Sequence, residues 1–206
     1  MKVRNKFPEF NEEKNNFLLA DGWVILKEPK NILLTILCSI PLMIFLSLIS
    51  VVIISFFSPI TVDDFGMQQN GLFMTINFPD IIAAIIIIYA IIYIHEIIHL
   101  IFVPGFLHSD TTFLGLSWFG GYTYTEEVIT KARYIVIGSM PFFLISVLFV
   151  IILGVTGYLT PLMKLVCIMN ALGSSVDFFT ILLVLLQVPG KSKIVMNGPL
   201  SYHKVM

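Results

Sequence analysis

Residues 81–103 read IIAAIIIIYAIIYIHEIIHLIFV. The run is long enough to cross a bilayer as a helix, which takes about 20 mostly apolar residues. His95, Glu96 and His99 are set into its second half. Histidines spaced i, i+4 share one face of a helix, where two imidazoles can hold one zinc ion. A glutamate beside the first histidine can serve as general base toward water activated by that metal. Ionisable groups are costly in hydrocarbon, so their presence there marks a functional site. The stretch therefore predicts a membrane-spanning helix carrying a zinc hydrolase site.

Composition supports the membrane half of this reading. Hydrophobic residues make up 57% of the chain and charged residues 12%, with a mean hydropathy of +0.94. A soluble domain carries about 25% charged residues. Three further segments are long enough to span: Ile32 to Phe57 with Pro41 inside it, Tyr134 to about Leu153, and about Leu162 to Val188. The expected fold is an all-α membrane protein of four transmembrane helices. Residues 1–31 form an N-terminal segment, 32–188 the membrane domain and 189–206 a polar tail, with the first span retained rather than cleaved. Between spans two and three, Thr111 to Ser117 and Tyr122 to Thr125 flank Gly120-Gly121 and read as a short β-hairpin. Such a hairpin can cap the helix bundle, or its edge can hold an extended substrate backbone. Asn70-Gly71 marks a second turn, in the loop before span two. Cys38 and Cys167 fall in apolar runs and read as packed side chains, not a disulfide framework.

Charge sets the orientation. Lys2, Arg4, Lys6, Lys14, Lys27 and Lys30 precede the first span, Lys131 and Arg133 separate the second and third, and Lys191, Lys193 and Lys204 follow the fourth. Lys164 is the one cation elsewhere. The positive-inside rule makes the crowded side cytoplasmic, with both termini inside and the cell membrane as the expected location. Trp23 and Tyr202 are candidate interfacial anchors, Glu126 and Glu127 read as solvated, and His108 and His203 read as loop and tail residues. With a net charge of -1 and no basic stripe or nucleotide fingerprint, nothing points to nucleic acid.

A zinc site needs a third ligand at the depth of His95 and His99. Asp177 is the carboxylate of the fourth span. Spans two and four run in the same direction. His95 lies eight residues before the end of its span and Asp177 about eleven before the end of its own. At about 1.5 Å per residue the mismatch is a few ångströms, within the latitude of tilt. Two histidines and one carboxylate leave a fourth tetrahedral position for water, the arrangement of catalytic zinc. Glu96, at the edge of that face, is placed to move the proton.

His95-Glu96-Ile97-Ile98-His99, Gly138-Ser-Met-Pro141 at the opening of the third span, and Asn170 with Asp177 in the fourth resemble the small membrane proteins grouped as "putative zincin peptidases", a family of domains of unknown function. Gly22-Trp23 and Glu28-Pro29-Lys30-Asn31 extend the likeness over most of the chain. More distantly the sequence is similar to site-2-protease-like intramembrane metalloproteases. The resemblance implies that His95, His99 and Asp177 bind Zn2+, that Glu96 is the catalytic base, and that Asn170 holds substrate or oxyanion. It also implies that the reaction is proteolysis, since the residues alone argue only for metal-assisted hydrolysis. Site-2 proteases carry a proline between the asparagine and the aspartate and a glycine after the aspartate. Here Gly173 stands in the intervening stretch and Phe178 follows Asp177, so an interhelical hydrogen bond is an equal reading of Asn170, and a helix-packing hydrogen bond is the rival reading of Asp177.

The function expected from these features is intramembrane zinc-dependent endoproteolysis, with a membrane protein or peptide as substrate and the lipid bilayer as surroundings. One alternative is a catalytically inactive protein of the same fold that binds clients or metal. Another is an ion pathway through the intramembrane His, Glu and Asp, which four spans without an inverted repeat argue against.

Overall fold

The computed structural model describes residues 2–3, 6–29, 31–61, 64, 78–117 and 120–206. In chain order the elements are β1 (Lys2–Val3), α1 (Glu12–Ala20), β2 (Val24–Ile25), α2 (Ile32–Phe57), α3 (Phe78–Phe102), β3 (Thr112–Ser117), β4 (Gly120–Thr125), β5 (Ile129–Thr130), α4 (Lys131–Pro141), a π-helical stretch (Phe142–Phe149), α5 (Val150–Thr156), α6 (Pro161–Gly173), α7 (Ser175–Gln187), β6 (Ser192–Asn197) and β7 (Leu200–Val205). Four helical segments, Ile32–Phe57, Ile85–Phe102, Lys131–Thr156 and Pro161–Gln187, are long and apolar enough to cross a membrane. The all-α expectation is too narrow, because the polar flanks form strands. Asn70-Gly71 lies outside the described residues.

The chain divides into two compact units. The first comprises residues 1–39, 96–140 and 176–206, and the second 40–95 and 141–175.

The first unit holds two sheets. One has the order β1-β3-β4 and the other β2-β7-β6-β5. The predicted hairpin is β3–β4, with Thr112 opposite Thr125 and Ser117 opposite Gly120. Gly120 and Gly121 are paired residues of β4 and not the turn between the strands. The C-terminal tail is a second hairpin, turning at Gly198-Pro199. Gly198 has φ +58°, and a Cβ there would meet the Phe10 backbone nitrogen at 2.7 Å. That close approach lets the segment before α1 cross the turn, where Asn11 and Asn197 exchange two hydrogen bonds of 3.1 and 2.8 Å. Leu26, Ile129, Val184, Val188 and Ile194 form one apolar core. Leu18, Trp23, Val195 and Tyr202 form another. Trp23 and Tyr202 are therefore core residues rather than interfacial anchors. Each satisfies its polar tip, the indole to Asp21 and the phenol to Asn15.

Several charges have fixed partners here, among them Glu126 and Glu127, which the sequence left as solvated. Arg133 donates to the Phe102 carbonyl at the end of α3 (2.7 Å), and Lys131 to the Val188 carbonyl just past α7 (2.5 Å). Both cations sit at the electronegative ends of helices, where carbonyls lack helical donors. Glu126 is ion-paired with Lys14 at 2.6 Å, and Glu127 accepts from the Ser109 and Thr111 hydroxyls. Burial holds the Glu28 carboxyl above its ordinary range against the opposing Ser201 N–H, which donates to it.

The second unit is helical. Its core is Ile54, Val150, Leu159 and Cys167. Thr160 caps α6 and Pro161 opens it, as expected for a first-turn proline. Lys164 is 5% exposed, which its partners explain: the Pro59 carbonyl at 2.8 Å and Asp64 at 2.9 Å. Asp64 is held below the usual carboxylate range by that lysine. Gly154 lets α5 pass against the end of α2, since a Cβ there would lie inside the Phe57 side chain and 2.7 Å from its Cβ. Overpacking of this kind costs about 1–3 kcal/mol. Gly154→Ala should lower the thermal unfolding midpoint in detergent, and Gly154→Ala with Phe57→Ala should recover most of the loss.

Candidate metal centre

The boundary between the units falls inside α3, between His95 and Glu96. The helix is unbroken there, so His95 and His99 stand one turn apart on one face whatever surrounds them.

His99 is 7% exposed. Its Nδ1 lies 2.8 Å from the Ile137 carbonyl oxygen. A carbonyl can only accept, so Nδ1 carries a hydrogen, and in the neutral ring Nε2 has the lone pair. Nε2 faces Asp177 Oδ1 at 3.4 Å. Ile137 comes from α4, one residue before the glycine of Gly138-Ser-Met-Pro141. A Cβ on Gly138 would meet Ile181 Cδ1 at 2.9 Å and Asp177 Cβ at 4.0 Å. The glycine thus lets α4 lie close against the α7 face that carries Asp177.

His95 is fixed in the same sense by a different group. Its Nδ1 lies 2.9 Å from Asn170 Oδ1. The amide orientation follows from its other end, where Nδ2 donates to the Pro141 carbonyl at 3.1 Å and to Ser146 Oγ at 2.9 Å. Both imidazoles therefore present Nε2 as the basic nitrogen. His99 and Asp177 of the first unit lie side by side, and His95 stands one turn before His99 on the same helix; these are donors of the types that can hold a metal ion. Zinc accepts this mixture of ligands.

Glu96 and His99 also line a cavity of about 230 Å³. Asp177, Tyr134 and Thr180 stand on its wall, with Gly121, Tyr122, Thr123 and Thr125 of β4 and an apolar group of Val103, Ile129, Ile137 and Met196. Thr123 Oγ1 donates to the Glu96 carbonyl at 2.9 Å, so β4 is pinned to the helix turn that carries the glutamate. Sequence reasoning did not foresee Thr123, Met196 or Ile129 at the site. The alternation of threonines in β4 was the available signal. The fourth span is two helices, interrupted at Ser174 between Asn170 and Asp177. His108 is exposed in a loop, and His203 lies in β7.

Helices of membrane length and an inward-facing His/His/Asp donor set define a membrane-type protein with a candidate metal centre. Residues 87–193, more than half of the chain and all of these donors, match the family model described as "Putative zincin peptidase", and the chain belongs to that family. No curated protein and no solved structure matches it.

Thr123→Val keeps the shape of the side chain and removes its donor to Glu96. A neutral hydrogen bond of this kind contributes about 1 kcal/mol. The variant should unfold at a lower temperature in detergent than the wild type, with Thr123→Ser close to wild type.

Proposed function

We propose that this protein is an intramembrane zinc metallopeptidase that cuts membrane-embedded or juxtamembrane peptide bonds. His95, His99 and Asp177 are its zinc ligands and Glu96 its general base. The observation that carries the reading is the Asp177 carboxylate 3.4 Å from the Nε2 of a histidine whose Nδ1 is committed to a backbone carbonyl. A structural ion pair would not need the second histidine one turn away, or a glutamate turned into the same cavity.

Zinc held by these donors would supply the Lewis acidity that activates water and the scissile carbonyl at neutral pH. Glu96 takes the proton of the attacking water on its carboxylate and returns it to the leaving amine. The apolar side of the cavity, formed by Val103, Ile129, Ile137 and Met196, suits an uncharged side chain beside the cut bond. A helical substrate shields its peptide bonds, so the scissile stretch must be extended. β4 is the edge of its sheet, and its backbone can hold such a stretch by strand addition.

Metal content and peptidase activity of the purified protein in detergent test this reading. Wild type and Glu96→Gln should carry about one zinc per chain, as expected for a single mononuclear site. His99→Ala and Asp177→Ala should lose it. Cleavage of a single-span substrate should fall about 10²–10⁴-fold in Glu96→Gln, the usual share of a general base. Zinc-free, well-folded wild type that stays zinc-free when metal is added back would overturn the proposal and leave a client-binding protein of the same fold.

The cation distribution supports cytoplasmic termini in the cell membrane, and in that orientation the His95–His99 end of α3 would lie in the cytoplasmic half of the bilayer. Reporter fusions at either terminus should be active only on the cytoplasmic side. A periplasmic or extracellular signal would reverse the assignment.

A further inference from the structure

We infer that Asn170 is a positioning residue for His95, held in place by Pro141 and Ser146, and not a group that touches substrate. The inference rests on the zinc reading above. It departs from the substrate or oxyanion role that the resemblance implies for this asparagine.

Asn170 is 2% exposed. Its Oδ1 is directed at His95 Nδ1, and its Nδ2 reaches both the Pro141 carbonyl and Ser146 Oγ. Ser146 in turn donates to the Cys167 carbonyl at 2.8 Å and so presents a lone pair to the amide. Both amide hydrogens are engaged, and these are the hydrogens an oxyanion would need.

The local helix geometry is built for this cradle. Pro141 and Ser146 are five residues apart. On an α-helix such residues point about 140° away from each other. The chain turns π-helical at Phe142–Phe149, immediately after Pro141. An i→i+5 turn brings residues five apart back onto one side, and π-helical turns recur at functional sites. The wide turn thus aims the Pro141 carbonyl and the Ser146 hydroxyl at one amide. With its orientation locked, that amide has only its carbonyl oxygen to offer, and His95 must donate from Nδ1. His95 is thereby kept as the Nε2-ligand tautomer. Groups that set the tautomer of a metal-bound histidine typically change metal affinity 10–100-fold when removed.

The experiment is zinc affinity by competition with a chromophoric chelator, for wild type, Asn170→Ala, Asn170→Asp and Ser146→Ala, with peptide kcat and KM measured at saturating zinc. Asn170→Ala should bind zinc about 10–100-fold more weakly. Asn170→Asp, which keeps the acceptor for His95, should stay near wild type. Ser146→Ala should fall between them, and all three should leave KM unchanged. Wild-type zinc affinity in Asn170→Ala, with a lowered kcat or raised KM, would overturn the inference in favour of oxyanion or substrate binding. Equal weakening in Asn170→Asp and Asn170→Ala would also overturn it, because the acceptor would then not matter. If Asn170→Ala fails to fold, the order wild type, Asp variant, Ser146→Ala decides alone. Failure of wild type to bind zinc would instead bring down the metal reading itself, and is separately visible.

Discussion

Imidazoles set into an apolar helix cannot be left to find their own partners. In hydrocarbon no water is at hand to satisfy Nδ1, and an unpartnered buried polar group costs several times what a hydrogen bond gains. Each histidine of α3 is therefore met by an acceptor from another element: the Ile137 carbonyl for His99 and the Asn170 amide for His95. Much of the local structure follows from supplying those two acceptors. Gly138 removes a side chain where α4 must approach α7. Pro141 and the wide helical turn after it hold the amide of Asn170. Ser146 passes the chain of hydrogen bonds on to the Cys167 carbonyl, so that no member is left half satisfied. Buried polar networks are stable only when complete in this sense.

What could be read from sequence and what could not divides along a physical line. Long apolar runs and the i, i+4 histidines are local signals, and the four membrane-length helices and the donor pair follow from them directly. The place of Asp177 beside His99 was recoverable because one carboxylate in an apolar span at matching depth has few explanations. The hydrogen-bond partners of Asn170 were not recoverable. They depend on a π-helical register that no periodicity in Phe142–Phe149 announces, since every residue there except Ser146 is apolar. The second sheet was missed for a related reason. Its strands β2 and β5 are two residues long, too short to show alternation, and the tail strands β6 and β7 mix lysine, serine and histidine with apolar residues. Pairing with distant segments makes the short ones strands: β2 with β7, Val24 opposite His203, and β5 with β6, Ile129 opposite Ile194.

Those short, polar strands also answer a chemical problem. The hydrolysis proposed above would need water, and a site made only of spanning helices would be closed to it; here the polar strand is β4 of the first sheet. The cavity beside Glu96 is walled on one side by aliphatic residues and on the other by Tyr122, Thr123, Thr125, Tyr134 and Thr180. Most of the hydroxyl groups come from β4 rather than from a spanning helix. β4 thus brings hydroxyl groups to the cavity that the glutamate lines, and the aliphatic part of the lining lowers the local dielectric. Low dielectric strengthens the interaction between a buried carboxylate and any cation beside it. The Thr123 hydroxyl ties this strand to the helix turn of Glu96, and a slip of β4 by a single position would carry that hydroxyl to the opposite face of the strand.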